Sequence, residues 1–104
     1  MRGDAAVEYV EQAAKIRSEV VSIRHDLHRH PEVGLHLPWT QNRLLDALKH
    51  LPLEIVTGKS TSSIVAVLRG GATRGDARPA VLLRADMDAL PVNEETGLEY
   101  ASEI

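Results

Sequence analysis

The 104-residue chain has no cysteine and no phenylalanine, one tryptophan and two tyrosines. The missing cysteines exclude a disulfide framework, a thiolate nucleophile and a cysteine-bound zinc, and they suit a reducing cytoplasm. Few aromatics means few platforms for stacking a base. The 12 Lys and Arg residues are scattered among 15 acids, for a formal net charge of −3, so no single-sign field draws in nucleic acid. No apolar run approaches the roughly 18 residues that cross a bilayer. The opening MRGDAAVEYVEQ carries acids where a signal peptide needs a basic and then an apolar segment. We expect no nucleic-acid partner, no membrane partner and a cytoplasmic location.

What is present is aliphatic: 43% of residues are hydrophobic, nearly all Ala, Val, Leu and Ile, the composition of helices packed on a sheet. A chain of this length buries somewhat over about 60% of its unfolded surface, which allows one modest core. From Ala5 to about His30 the positions Val10, Ala13, Ile16, Val20, Ile23 and Leu27 recur at steps of three or four, which predicts one long helix. Asp4 is its candidate N-cap, and Pro31 ends it by lacking an amide proton and biasing His30 away from helical angles. Glu32 to Leu37 reads as a connector. Pro38 then sits where the first turn of a helix accepts proline, and Leu44, Leu45, Leu48 and Leu51 supply a stripe for a second helix to about His50, stopped by Pro52.

Three strands are expected next: LEIVT (53–57), SIVAVLRG (63–70) and AVLLRAD (80–86), separated by GKSTS and by GATRGDARP, a loop short enough for a hairpin. The last shows no alternation across Ala80 to Leu83, as a strand buried on both faces would. The order helix, helix, strand, strand, strand makes an α/β layered unit. After Pro91 the chain is polar and turn-prone, and the two helices can cover only one sheet face. We therefore expect it to be the N-terminal part of something longer.

Two clusters could carry chemistry. In an extended strand Arg84, Asp86 and Asp88 share a face, and carboxylates at the carboxyl end of a central strand lie where open α/β sheets place ligands. Such a pair can hold a divalent cation, or one acid can orient a catalytic partner. Alternatively, DxD is where a strand leaves the core and Arg84 neutralises it. The second cluster is RHDLHRHPE. His25 and His28 lie about 300° apart around a helix and share a face, whereas His28 and His30, about 200° apart, do not. The zinc motif HExxH is absent, and histidines near a helix C-terminus are also explained by the dipole. GKSTSS lacks the upstream glycine of a phosphate loop, and no GxSxG marks a serine nucleophile.

Taken together, RHDLHRHPEVGL, TGKSTSSIVAVLRGG and above all LLRADMDALPVNEETGLEYAS resemble the N-terminal third of the dinuclear-metal amidohydrolase and peptidase family, which includes hippurate hydrolase, aminoacylases and auxin-conjugate hydrolases. The likeness runs in consistent order from about Ile23 to Ser102. It implies two helices packed on a mixed sheet, an incomplete three-layer catalytic domain spanning 1–104, with the lid or dimerisation domain absent. It also implies hydrolysis of N-acyl-amino-acid or peptide amide bonds by metal-activated water, with Zn, Mn or Co in the full-length parent and none held tightly by this chain. Small acylated amino acids or peptides would be the substrates, and a homo-oligomer would form through the missing domain. Asp88 matches the acid of a His-x-Asp segment that supports an adjacent metal-binding histidine, which makes it the catalytic candidate. Asp86 falls at that histidine's place and is the metal candidate. The family's principal ligands come from a downstream HxCGHxxH segment and later residues, so the isolated chain is expected to lack turnover. Two other readings stay open: a truncated interaction module, and a DxD phosphotransferase of the haloacid-dehalogenase type with Asp86 as nucleophile.

Overall fold

In a computed structural model of the chain, residues 2–70 and 79–103 are described, without the side chains of the first helical residues through Ala5. They form two compact units, Met1–His30 with Glu94–Ile104, and Pro31–Asn93. The loop expectation for GATRGDARP falls mostly on 71–78, outside the described residues.

The first unit is built on α1 (Arg2–Arg29). The helix begins upstream of Asp4, which therefore lies inside the first turn instead of capping it, and it stops one residue before His30, as the following proline requires. Its apolar stripe finds little to pack on: residues 6–22 are all exposed, and only from Ile23 onward do side chains become partly covered. There the segment 94–103 returns to the helix end, and the Glu103 amide donates to the Arg29 carbonyl at 3.0 Å.

The second unit holds α2 (Pro38–Leu48) and an antiparallel pair, β1 (Glu54–Thr57) and β2 (Ile64–Val67), in the register Glu54↔Val67, Ile55↔Ala66, Val56↔Val65, Thr57↔Ile64. Gly58 opens the β1–β2 connection because a Cβ there would come within 2.7 Å of the Thr61 hydroxyl and 2.8 Å of the Thr61 carbonyl, besides striking the Ser63 hydroxyl. Just past β2, Arg69 clamps Glu54 through both carboxylate oxygens, Nε at 2.8 Å and Nη2 at 3.1 Å. The loop before β2 is tied to the connector ahead of α2: the Leu37 amide donates to Ser62 Oγ (2.7 Å) and the Ser62 amide to the Leu35 carbonyl (2.9 Å). GKSTSS thus works as a structural tie. The most buried described residues are here, Leu37 and Thr40, each 4% exposed.

Two expectations need correction. The third strand is absent: 80–86 adopts no strand, and Val81, Leu82 and Leu83, expected to be doubly buried, are 90%, 89% and 90% exposed. A central strand exists only by virtue of hydrogen-bonding neighbours and covering layers, and nothing described pairs with this segment. The sheet is consequently two-stranded and antiparallel among the described residues, instead of mixed. The mixed α/β class holds, and the helix and strand positions up to Val67 agree with the sequence to within a few residues. No described helix is long and apolar enough to cross a membrane.

Candidate functional site

The Asp86–Asp88 segment lies in the second unit. Arg84 Nη2 stands 2.8 Å from Asp86 Oδ1, with both side chains largely exposed. The structure thus shows Arg84 neutralising Asp86, though no strand leads into the pair. Asp88 is also exposed and has no hydrogen-bond or ion-pair partner among the described residues. Around it exposure alternates: Met87 and Ala89 are partly covered, while Asp86, Asp88 and Leu90 face outward. This is the two-residue period that the motif suggests.

What holds the segment is a backbone bond. The Ala89 amide donates to the Glu32 carbonyl at 2.7 Å. Glu32 also works with its side chain. The N-cap position of α2 is Leu37, which offers no side-chain acceptor, so the first-turn amides turn to Glu32: Thr40 N donates to Oε1 at 2.7 Å and Trp39 N to Oε2 at 3.3 Å. A carboxylate at a helix N-terminus meets both unsatisfied amides and the positive end of the dipole. Desolvation pushes the Glu32 carboxyl up, but the hydrogen bonds from Thr40 and Trp39 outweigh it and hold the group below the ordinary range. Sequence reasoning places Glu32 in a connector and misses this role. The signal is there, since an apolar N-cap before Pro38 leaves amides that something must satisfy.

His25, His28 and His30 lie in the first unit. His25 stacks on Tyr100, centroids 3.8 Å apart and planes 6° from parallel, and His28 meets the same ring edge-on at 5.7 Å. The shared face expected of His25 and His28 is therefore real, and Tyr100 covers it. His28 Nε2 contacts Glu94 Oε1, and the Ser102 hydroxyl donates to the His28 carbonyl at 3.0 Å. Thr96 Oγ1 donates to the other Glu94 oxygen at 2.5 Å. That hydroxyl, ahead of the His28 ring, keeps the Glu94 carboxyl below its usual range against the opposing effect of desolvation. His30 donates from Nδ1 to the Asp26 carbonyl at 3.0 Å and lies 3.9 Å from Glu103 through Nε2. Beyond any dipole effect, then, these rings anchor the returning segment. The His28–Glu94 pair spans 66 positions in sequence, a separation no local pattern reveals.

Among the described residues no three His, Cys, Asp or Glu side chains gather as a group that could hold a metal ion. Asp86 answers to Arg84, Asp88 has no side-chain partner among the described residues, and His25, His28 and His30 each have other partners.

No family model matches the chain, and no solved structure matches it. Curated relatives do. An N-acetyldiaminopimelate deacetylase of Oenococcus oeni is 38% identical over 84 residues, 81% of this chain and 22% of the relative. The same-named proteins of Listeria innocua and Geobacillus thermodenitrificans are each 40% identical, over 82% and 83% of the chain and 22% of their own length. These matches bear out the amidohydrolase resemblance carried by the motifs. The chain spans about a fifth of the length of the curated relatives it matches.

Proposed function

We propose that the chain is the N-terminal part of the catalytic domain of an amidohydrolase that frees the amine of a small N-acylated amino acid. The observation that carries this is the 38–40% identity to deacetylases over four fifths of the chain. In the reaction water adds across the amide: the carbon–nitrogen bond breaks, the acyl group leaves as a carboxylate, and the amine takes up a proton. N-acetyldiaminopimelate, named by the relatives, is the first substrate to test.

The resemblance also implies a zinc-, manganese- or cobalt-type ion. The described residues do not fit one, since no three of their carboxylates and imidazoles converge, and no step is routed through it. What this chain contributes is a positioned carboxylate. Asp88, the residue before a backbone-anchored alanine, is exposed and uncommitted, so it can accept a hydrogen bond from an imidazole of the longer protein and fix that ring's orientation. Asp86, paired with Arg84, is the lesser candidate. The phosphotransferase reading needs Asp86 as a free nucleophile and has the guanidinium at 2.8 Å against it. For the isolated chain the interaction-module reading has one observation in its favour, the bare Val81–Leu83 run.

Alone, the chain leaves N-acetyldiaminopimelate and simple N-acetyl-amino acids intact with added Zn²⁺, Mn²⁺ or Co²⁺; turnover above the metal blank overturns the fragment reading. Co-expression with the remaining segment of a deacetylase relative restores hydrolysis, and Asp88→Ala in the short partner removes it. Full activity with Asp88→Ala would eliminate the role assigned to that carboxylate.

A further inference from the structure

We propose that Glu32 is the positioning residue of the Asp86–Asp88 segment, its carboxylate locking its own backbone to the first turn of α2 so that its carbonyl can hold Ala89. The proposal rests on the amidohydrolase reading only for the importance of Asp88; the coupling itself is a property of this chain.

The starting point is the scarcity of other anchors. The 80–93 stretch belongs to no helix or strand, and its one backbone hydrogen bond to a distant residue among those described is Ala89 N to Glu32 O. An isolated amide bond between two irregular segments is worth little by itself, because ordering either segment costs more than the bond returns. It can place Asp88 only if its acceptor is already fixed. Glu32 is fixed at the side chain: two α2 amides converge on its carboxylate at 2.7 and 3.3 Å, charge-assisted bonds of the stronger kind, beside the two most buried described side chains, Leu37 and Thr40. The connector around it is pinned again by Ser62, which takes the Leu37 amide. One residue thus joins the best-packed point of the unit to the amide adjoining Asp88, through a side chain on one side and a carbonyl on the other. The glutamate length matters. An aspartate loses one methylene of reach, and a glutamine keeps one amide-accepting oxygen while giving up the charge and the second acceptor.

The test is residue-resolved amide hydrogen exchange on the full 104-residue chain, with protection corrected for intrinsic rates, in wild type, Glu32→Gln and Glu32→Ala. Loss of a helix cap of this kind raises exchange at Trp39 and Thr40 roughly tenfold. The proposal requires Ala89 to lose protection alongside them by a comparable factor in Glu32→Ala and by less in Glu32→Gln, while the β1–β2 amide of Val56 stays protected. A glutamate serving only as the cap of α2 would deprotect Trp39 and Thr40 and leave Ala89 unchanged; that result overturns the proposal. Should Glu32→Ala lose protection everywhere, including Val56, the near-isosteric Glu32→Gln decides alone, on the same comparison of Ala89 with Thr40. No step of this test reads hydrolysis, so absence of amidohydrolase activity in the longer protein does not alter its outcome.

Discussion

Two leucine truncations in the second unit should behave oppositely, and the contrast can be worked from exposure. Fully burying a leucine side chain is worth about 1.5–3 kcal/mol. Leu82 is 89% exposed, so about a tenth of that is realised and Leu82→Ala should cost no more than about 0.3 kcal/mol. Leu37 is 4% exposed and adjoins the α2 cap. Leu37→Ala removes a buried side chain and leaves a cavity, for about 2–5 kcal/mol. The assay is exchange of the Gly58 and Thr40 amides, which close the β1–β2 loop and the first turn of α2, in both variants under identical conditions. A Leu82→Ala cost above about 1 kcal/mol would mean that the segment is packed, and would refute the exposed description. A Leu37→Ala cost below about 0.5 kcal/mol would remove the core from where it has been placed. In the proposed longer amidohydrolase, where neighbouring strands would cover this segment, the same Leu82→Ala should cost about 2–5 kcal/mol.

Further outcomes follow from particular contacts. Gly58→Ala should destabilise the β1–β2 hairpin by about 1–3 kcal/mol, read as lost protection of the Val56 and Val65 amides; adding Thr61→Ala and Ser63→Ala should recover only part, since the Thr61 carbonyl at 2.8 Å remains. Because the Glu94 carboxyl is held below its ordinary range, the docking of 94–103 should be fully present above that range and fade as pH falls through the lowered value. Exchange of the Glu103 amide reports it, and an unchanged acid profile in Glu94→Gln would disprove the assignment.

The helices are legible because their signals are local. A three-and-four step from Val10 to Leu27, Pro31 after it, Pro38 at the opening of the second and Pro52 beyond its end act within one or two turns. β1 and β2 are legible because a short loop joins them. The segment 80–86 misleads for the opposite reason. Its aliphatic run states what the residues would do between neighbours, and strand character is conferred by those neighbours. Asp86 and Asp88 stand out through a motif, and the Arg84 pairing is already visible in the two-residue spacing. The carboxylate of Glu32 and the contact of His28 with Glu94 escape a sequence reading, because each depends on where a distant backbone turns.

The long exposed stretch of α1 has a consequence for how the protein should melt. At 1.5 Å per residue, 28 residues make a rod of about 42 Å, and positions 6–22 along it are all exposed, so they have little packing to lose. Such a rod obeys helix–coil statistics: it frays along its exposed stretch, its helicity falls gradually with temperature, and each turn lost costs little more than the last. The unit containing Leu37 has a core and can unfold as one. A far-UV circular dichroism melt should therefore superpose a broad slope on a sharper step. A single midpoint fitted to it would describe neither process.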